Sequence, residues 1–450
     1  MTLFFRIWLI ALVAKTAGAI LLPFSNDEAY YWFWGHHPQW SYFDHPPMVG
    51  WLFWFGQVFE NIGNGARLPG VWLGHLTLLL WSLILKPILN EKQRAGWLLF
   101  MVLSPFFGIG ALVITPDVPL LFFWSLAILV LLRLLDTHRP WLYAVLGITL
   151  GLGFCSKYMT VLFVPIAILW VIWSGSWRRL RWPLVPLTIL FGLVFCFPVF
   201  YWNSRHEWAS FRFQLDHGLA STTWSGLWPA EYLGGQILIL FPTVAWLALR
   251  PPKEKNYRFL LFFGWLPIAF FLYTSFKAHV EANWPIMAHP ALLTLAYINA
   301  AHSPGAMKVL RATMAVWAAA GLVVTSEAVH HWLPVEQNKL KTAEFSRFDV
   351  FLPYANGEHE LYLGSYQMAA AVSYKTKGNI CKLGGLNRRD FYDFLPQCFP
   401  KSDHFWIGRE MYQPLPEWLV KKGYRELSVE QLSNEFQLVE VGRSAQGSGR

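Results

Sequence analysis

Long apolar runs, separated by short polar connections, follow one another through the first 330 residues of the chain. A helix of about 20 apolar residues crosses the hydrocarbon core of a bilayer. Eleven runs approach that length, and they cover residues 3–22, 67–85, 96–114, 118–135, 141–156, 158–174, 183–201, 232–249, 259–276, 285–301 and 309–329. The pattern predicts an all-α polytopic membrane region with about eleven transmembrane helices.

The basic residues in the connections are distributed unequally between the two sides of the membrane. If the N-terminus is cytoplasmic, the connections on the outer side contain few cations, namely Arg67, Lys157, Arg205, Arg212 and Lys277. Cytoplasmic loops normally carry the excess of Lys and Arg, so this sorting predicts a cytoplasmic N-terminus and supports the number of crossings. The run at 48–59 is too short to span, and we expect it to lie as a helix in the outer interface.

The pattern changes after residue 330, where no further spanning run occurs. Short apolar runs cover residues 360–366, 405–407 and 437–441, and helical patterns cover 365–373 and 416–422. We therefore predict a transmembrane domain over residues 1–330, with a first outer loop at 23–66, and a small soluble α/β domain over 331–450 in the periplasm. An oxidising periplasm would favour a disulfide between Cys381 and Cys398 of that domain.

The composition agrees with a bilayer environment, because 55% of the residues are apolar and only 14% are charged. Soluble domains contain about 25% charged residues. The formal net charge of +9 comes mainly from the predicted cytoplasmic connections. It therefore reflects membrane topology and indicates membrane lipids, not nucleic acid, as the partner.

Carboxylates and histidines gather in the first predicted outer loop, which contains no Lys or Arg. Asp27 and Glu28 open the loop, and Tyr42, Asp44 and His45 follow near its middle. An interfacial aromatic belt is the alternative, but it does not explain adjacent acids just past the end of a span. Charged groups close to a membrane mark functional sites by default.

Three further outer connections add polar groups at the same predicted depth. Asp117 follows a tight turn, and helix capping is its alternative role. Lys157 lies in another short turn, where extension towards lipid headgroups is the alternative. The third connection contributes Lys277, His279, Glu281 and Asn283. Their alternate spacing places them on one side of the chain if the segment is extended.

These residues suit sugar transfer from a lipid phosphate at the outer face. Such a transfer needs a general base for the acceptor hydroxyl and positive charge, or a metal, where the phosphate leaves. The chain has no nucleotide-type glycine loop, no HExxH and no CxxC motif, so nucleotide hydrolysis and zinc proteolysis lack support. A transporter or flippase of lipid-linked saccharides is the alternative, and a membrane-anchored sensor is a second one.

Six short motifs occur in order over residues 1 to about 300. They are Asp27-Glu28-Ala-Tyr-Tyr, Tyr42-Phe43-Asp44-His45-Pro46-Pro47-Met48, Arg67-Leu68-Pro69, Thr115-Pro116-Asp117-Val-Pro, Gly151-Leu-Gly-Phe-Cys-Ser-Lys157-Tyr158 and Glu281-Ala-Asn283-Trp284-Pro285. This series resembles the GT-C superfamily of polyprenyl-phosphate-sugar-dependent glycosyltransferases. The resemblance is strongest to the bacterial group related to protein O-mannosyltransferases and the lipid A aminoarabinose transferase.

The resemblance implies an inner-membrane enzyme with a GT-C fold and an active-site cavity at the periplasmic face. Its donor would be a sugar on polyprenyl (undecaprenyl) phosphate, transferred with inversion to lipid A, another envelope glycan or a protein hydroxyl. It implies a catalytic role for Asp27, with Glu28 beside it. The implied donor-binding residues are Tyr42, Asp44, His45, Asp117, Lys157, Arg205, Lys277, His279, Glu281 and Asn283.

The resemblance requires no cofactor, and it leaves dependence on a divalent metal open. Asp44, His45 and His279 are the candidate ligands, because imidazole and carboxylate groups bind such ions. The alternative is that these three residues are hydrogen-bonded polar groups without a metal.

Overall fold

A computed structural model of the protein describes residues 1–219, 225–252, 257–335, 339–396 and 398–443. The chain divides into two compact units: the first contains Met1–Leu22 and Gln39–Ser326, and the second contains Pro23–Pro38 and Glu327–Arg450. The break after Ser326 lies close to the predicted boundary at residue 330. The observed division differs from the predicted one in one segment, because Pro23–Pro38 of the predicted outer loop clusters with the C-terminal unit.

Helices dominate the first unit. In chain order, the α-helices of the described residues are α1 (Leu3–Leu21), α2 (Asn26–His36), α3 (Met48–Gly56), α4 (Leu68–Leu85), α5 (Glu91–Leu103), α6 (Asp117–Thr137), α7 (Trp141–Ser156), α8 (Phe163–Trp173), α9 (Val185–Arg205), α10 (Ala209–Leu219), α11 (Trp228–Leu240), α12 (Pro242–Ala248), α13 (Phe259–Ser275), α14 (His289–Ala301), α15 (Pro304–His330), α16 (Tyr366–Thr376) and α17 (Glu417–Lys421). Of these, α2, α16 and α17 belong to the second unit. Each predicted apolar run therefore contains helical structure.

The helices confirm a multi-pass membrane protein. Within the described residues, five helices are long and apolar enough to cross a bilayer, and these are α1, α4, α6, α9 and α15, with short extensions of α4 and α9. The pair α11 and α12 would add a sixth span, bent by 95° at Phe241. The remaining runs form shorter helices, so the number of eleven crossings stays a prediction. The short run at 48–59 forms α3 and a 3-10 turn, Gln57–Phe59.

Buried indole hydrogen bonds connect helices in the core of the first unit. Trp81 Nε1 on α4 donates to Ser125 Oγ on α6 at 2.8 Å, and Trp97 Nε1 on α5 donates to Thr294 Oγ1 on α14 at 3.0 Å. An indole N–H buried without a partner would cost free energy, so these bonds fix which helix faces meet.

Close packing of α7 against α9 depends on small side chains. A Cβ atom on Gly151 of α7 would lie 2.7 Å from the carbonyl oxygen of Gly192 on α9. Glycine at this position therefore lets the two backbones approach, as small residues do in membrane helix pairs. This contact fixes the C-terminal end of α7, which leads directly into Lys157.

The second unit contains a five-stranded sheet with the order β2-β1-β3-β5-β4. Its strands are β1 (Leu361–Leu363), β2 (Cys381–Lys382), β3 (His404–Glu410), β4 (Tyr424–Gln431) and β5 (Phe436–Arg443). Strand β1 pairs in parallel with β2 and β3, whereas β5 is antiparallel to β3 and β4. This sheet, with α16 and α17, confirms the predicted α/β module, and a disulfide joins Cys381 to Cys398 as the sequence predicts.

Aromatic contacts hold α2 within the second unit. The Phe24 ring stacks on Tyr374 of α16 with centroids 4.0 Å apart, and Tyr30 of α2 contacts Tyr366 with centroids 4.4 Å apart. The backbone N–H of Phe391 donates to the Tyr30 hydroxyl at 2.8 Å. Much of the aromatic content of this loop segment is therefore used in packing α2 on the C-terminal domain.

Candidate active site

Three predicted site residues from separate parts of the chain meet in the first unit. Lys157 Nζ lies 2.6 Å from Asp117 Oδ1, and Asn283 Nδ2 donates to Asp117 Oδ2 at 2.9 Å. The side chains of Asp117 and Lys157 are 7% and 10% exposed. The carboxylate thus accepts from a cation and an amide in a buried setting, where charge-assisted hydrogen bonds are strong.

Helix termini position this network. Asp117 is the first residue of α6 and Lys157 is the residue after the end of α7. A carboxylate in the first turn is favoured by the helix dipole. The partners of the Asp117 side chain are Lys157 and Asn283. Lys157 is accordingly buried in an ion pair and does not extend towards lipid headgroups.

The predicted 277–285 segment is extended only in part. The backbone N–H of Lys277 bonds to Thr274 at the end of α13, and a turn near residues 282–285 brings Asn283 to Asp117. His279 and Glu281 do share a side, with Nδ1 and Oε1 3.6 Å apart, but both side chains are more than half exposed. The condition for placing all four residues on one side, an extended segment, is therefore met only in part.

The two other predicted cations lie on the surface of the first unit. The Arg205 guanidinium lies 5.8 Å from the centroid of the Tyr201 ring, and Lys277 Nζ lies 4.7 Å from that of Tyr273. Both contacts are of the cation–π type, which contributes modestly at exposed sites. Because Arg205 and Lys277 are exposed whereas Lys157 is buried, the structure supports Lys157 more strongly than these two cations as a phosphate ligand.

The second half of the first outer loop belongs to the first unit and is largely buried. Tyr42 is fully buried, and its hydroxyl accepts from the backbone N–H of Gln39 at 3.3 Å. Burial raises the pKa of this hydroxyl. Asp44 is 5% exposed and its carbonyl oxygen accepts from Gln214 Nε2 at 2.7 Å, while His45 is half-buried. The loop is therefore held by specific bonds.

The described part of the chain contains no group of three or more His, Cys, Asp or Glu side chains arranged to hold a metal ion. Asp44, His45 and His279 are accordingly not gathered into such a group. The metal-dependent reading therefore draws no support from the arrangement of these side chains.

Asp27 and Glu28 lie on α2, in the second unit, and have different environments. Glu28 is fully buried in a capping box: Ser25 Oγ accepts from the Glu28 N–H and Glu28 Oε2 accepts from the Ser25 N–H, both at 3.2 Å. Asp27 is exposed in the first turn of α2. The structure thus gives Glu28 a role in stabilising the helix and leaves Asp27 as the accessible carboxylate of the pair.

A polar cavity of about 820 Å³ in the second unit includes Asp27. Its other polar lining residues are Asn26, Lys341, Glu344, Ser346, Arg347, Gln367, Ser433, Asn434 and Glu435. Ion pairs order part of this lining, since Arg347 Nε lies 2.8 Å from Glu435 Oε2 and Lys341 Nζ lies 3.0 Å from Glu344 Oε2. The cavity is large enough for a saccharide.

Sequence reasoning missed two features of these sites. The residues Ser25-Asn-Asp-Glu28 fit the capping-box pattern, which would have identified Glu28 as a helix-stabilising residue. Arg347 and Gln367, which line the Asp27 cavity, carry no local pattern that marks them. Only the packing of α2 on the C-terminal domain brings them to Asp27.

Comparisons with known proteins agree with this architecture. Residues 44–202 match the family model described as dolichyl-phosphate-mannose-protein mannosyltransferase. The chain is 25% identical over 311 residues to the lipid A galacturonosyltransferase RgtD of Rhizobium johnstonii, covering 65% of this chain and 63% of that protein. It is 28% identical over 157 residues to undecaprenyl phosphate-alpha-4-amino-4-deoxy-L-arabinose arabinosyl transferase 2 of Pseudomonas fluorescens, covering 33% of this chain and 29% of that protein. The matched regions thus span less than two thirds of either relative.

The fold is similar to that of a solved membrane protein over nearly its whole length. ArnT from Cupriavidus metallidurans, in a crystal structure bound to undecaprenyl phosphate, superposes with a TM-score of 0.67 at 16% identity, covering 99% of this chain and 98% of that one. At this identity the match concerns the fold alone. Together with the family match, it confirms the predicted resemblance to the GT-C superfamily.

Proposed function

We propose that this multi-pass membrane protein, which carries a GT-C domain, is a glycosyltransferase that moves a sugar from polyprenyl phosphate to an envelope acceptor. The donor is a sugar on undecaprenyl phosphate, and the acceptor is a hydroxyl of lipid A, of another cell-surface glycan or of a protein. The relatives named above support this choice, because their names specify lipid A as an acceptor and an undecaprenyl phosphate-linked sugar as a donor.

The observation that carries the proposal is the buried Lys157, which lies in the sequence between Phe154 and Thr160, two lining residues of an apolar groove. A cavity of about 690 Å³ in the first unit is lined mostly by apolar residues of α6 to α9 and the segments between them, and along α7 it extends from Tyr143 to Phe154. Lys157 follows α7 directly. A polyprenyl chain in this groove would place its phosphate near the ammonium group, which suits a donor delivered from the bilayer.

Lys157 is the donor-phosphate residue in this proposal, and Asp117 positions it. An ammonium group has three N–H donors. One of them is used by Asp117 Oδ1, and Asn283 holds the other carboxylate oxygen. The remaining donors stabilise the charge that develops on the leaving phosphate.

Asp27 is the proposed general base. It takes the proton of the acceptor hydroxyl while that oxygen attacks the anomeric carbon from the side opposite the phosphate. The new glycosidic C–O bond forms as the bond from the anomeric carbon to phosphate oxygen breaks, and polyprenyl phosphate leaves with the electron pair. The configuration at the anomeric carbon is inverted. The first turn of α2 favours the ionised carboxylate that a base requires.

The proposed location is the bacterial inner membrane. The excess of Lys and Arg in alternate connections supports a cytoplasmic N-terminus, with the active site and the C-terminal domain in the periplasm. The disulfide between Cys381 and Cys398 supports an oxidising compartment for that domain.

Mass spectrometry of envelope lipids and glycans, from cells with and without the gene, tests the proposal. We expect a mass difference of one sugar, which names the donor sugar and the acceptor class together. Asp27→Asn keeps the size of the side chain but removes the base, so the modified species should fall by about 10²-fold or more. The matched control is Asp136→Asn, which changes an exposed carboxylate near the C-terminal end of α6. This variant should retain the modified species.

Transfer assays on reconstituted protein distinguish the roles of Lys157 and Asp27. Lys157→Ala should raise the concentration of undecaprenyl phosphate-linked sugar needed for half-maximal transfer. An unchanged donor dependence would refute the phosphate role of Lys157. Full transfer by Asp27→Asn would refute the role of Asp27 as general base. Identical envelope masses with and without the gene would refute the proposed transferase activity.

A further inference from the structure

The second unit contains another cavity, of about 730 Å³, beyond the one that includes Asp27. It lies where the C-terminal end of α2 meets the loops around the disulfide, and Cys381 and Cys398 both line it. Phe33 of α2 and His37, the residue after α2, contribute to its wall. The proposed transfer chemistry does not use this cavity.

Aromatic rings form much of its lining. Phe399 is 50% exposed, and its ring meets Trp418 edge to face with centroids 5.7 Å apart. Trp418 is fixed in turn, because its Nε1 donates to the Gly384 carbonyl at 2.9 Å. The disulfide at Cys398 anchors the chain immediately before Phe399. Exposed rings that are already ordered can bind a flat apolar surface at a low entropic cost.

Polar groups lie around these rings. Lys422 Nζ lies 5.1 Å from the Phe399 centroid and 5.2 Å from the Trp418 centroid, and within the described ranges it has no carboxylate partner. The Tyr392 hydroxyl is buried and has no hydrogen-bond partner among the described residues. Asp393, which accepts from Lys382 at 2.8 Å, also lines the cavity. Buried polar groups of this kind are normally satisfied by a partner.

These features together fit a pyranose ring. A pyranose has apolar C–H faces that pack on aromatic rings and hydroxyl groups around its edge that hydrogen-bond. Phe399 and Trp418 supply the aromatic surface, whereas Tyr392, Asp393 and Lys422 supply a donor, an acceptor and a cation. A purely hydrocarbon ligand would leave the buried Tyr392 hydroxyl unpaired, which costs free energy.

The cavity lies on the same helix as the proposed base but at its other end. Asp27 and His37 are ten residues apart, and an α-helix rises about 1.5 Å per residue, so the separation is about 15 Å. We infer that this cavity is a second saccharide site, which binds a pyranose of the acceptor glycan away from the sugar that is modified. The acceptor assignment rests on the proposed function.

Direct binding to the full-length protein in nanodiscs tests the inference. The probe is the soluble oligosaccharide released by complete deacylation of lipopolysaccharide, titrated calorimetrically without donor. We expect Phe399→Ala to weaken binding by at least about tenfold, which corresponds to 1.4 kcal/mol. Tyr412→Ala, which removes a ring that is 89% exposed elsewhere in this unit, should bind as the unmodified protein does.

The variant of the charged residue Lys422 has a matched control in a variant of its neighbour, Lys421. Lys422→Ala should weaken binding, whereas Lys421→Ala, whose ammonium pairs with Glu417 at 3.2 Å, should not. Asp27→Asn should bind the oligosaccharide normally even though its transfer of sugar is strongly reduced. Failure of transfer and failure of this second site are therefore separate results.

Two results would overturn the inference. One is equal affinity in Phe399→Ala, Lys422→Ala and the unmodified protein, or no binding by any of them. The other comes from a spin label at Phe399→Cys. We expect a water-soluble nickel complex to relax this spin label. If oxygen dissolved in the bilayer relaxes it instead, the face that carries Phe399 contacts the membrane and not a saccharide.

Discussion

Replacing Asp117 by Asn removes the carboxylate that faces Lys157 in the membrane unit but keeps the size of the side chain. The Lys157 ammonium then remains buried without a counter-ion. Removing one partner of a buried ion pair costs about 3–5 kcal/mol. Because the Asn oxygen can still accept a hydrogen bond, we expect a loss of about 3 kcal/mol in the free energy of unfolding.

The complementary change, Lys157→Met, leaves the Asp117 carboxylate with only the Asn283 hydrogen bond from this network, and we expect a similar loss. The double variant has neither charge, so it should be less destabilised than the sum of the two single variants. The difference is the coupling energy, expected at about 1–3 kcal/mol for residues in one network.

Equilibrium unfolding of the purified protein in mixed micelles, with increasing sodium dodecyl sulfate and circular dichroism as the signal, measures these free energies. Glu281→Gln is the control, since the His279–Glu281 pair is more than half exposed and should contribute less than about 1 kcal/mol. If the single losses add within about 0.5 kcal/mol, the buried ion pair is refuted.

Three further predictions concern the second unit. Ser25→Ala removes the α2 cap and should cost about 1 kcal/mol, seen as faster hydrogen exchange in α2, with Ser25→Thr as the control that retains protection. Replacing Cys381 and Cys398 by Ser should cost roughly 3 kcal/mol and speed proteolysis of this unit; unchanged proteolysis would contradict it. Burial raises the pKa of Asp390 to about 6, so the folded state binds more protons than the unfolded state between pH about 4 and 6. Stability of this unit should therefore fall as the pH rises through that window, and an Asp390→Asn variant that keeps the same slope would refute the assignment.

The sign of the Asp390 effect follows from its burial, which penalises the charged carboxylate. Lys382 is 1% exposed and contacts the carboxylates of both Asp390 and Asp393. The Lys382 ammonium lowers the pKa of Asp390 and the Asp393 carboxylate raises it, and the effect of burial outweighs that of Lys382. The group is therefore more stable with the proton bound, in contrast to a simple salt-bridged Asp.

Hydrophobic periodicity determined most of the helical plan. The runs of apolar residues predicted where helices occur, and the turn residues after residue 330 predicted a small sheet domain. These properties are local, because each depends on residues within one helix or one strand. The run at 96–114 shows the limit: α5 ends at Leu103, where Ser104 is extended and a 3-10 turn at Ile109–Leu112 follows.

The tertiary structure alone decided which polar residues meet. Asp117, Lys157 and Asn283 were each notable in the sequence, but their distances depend on how α6, α7 and the loop before α14 pack. Likewise, Asp27 and Glu28 are adjacent in sequence, yet the first turn of α2 exposes one and buries the other in a capping box. Side-chain convergence is a property of packing between distant segments, and no local periodicity records it.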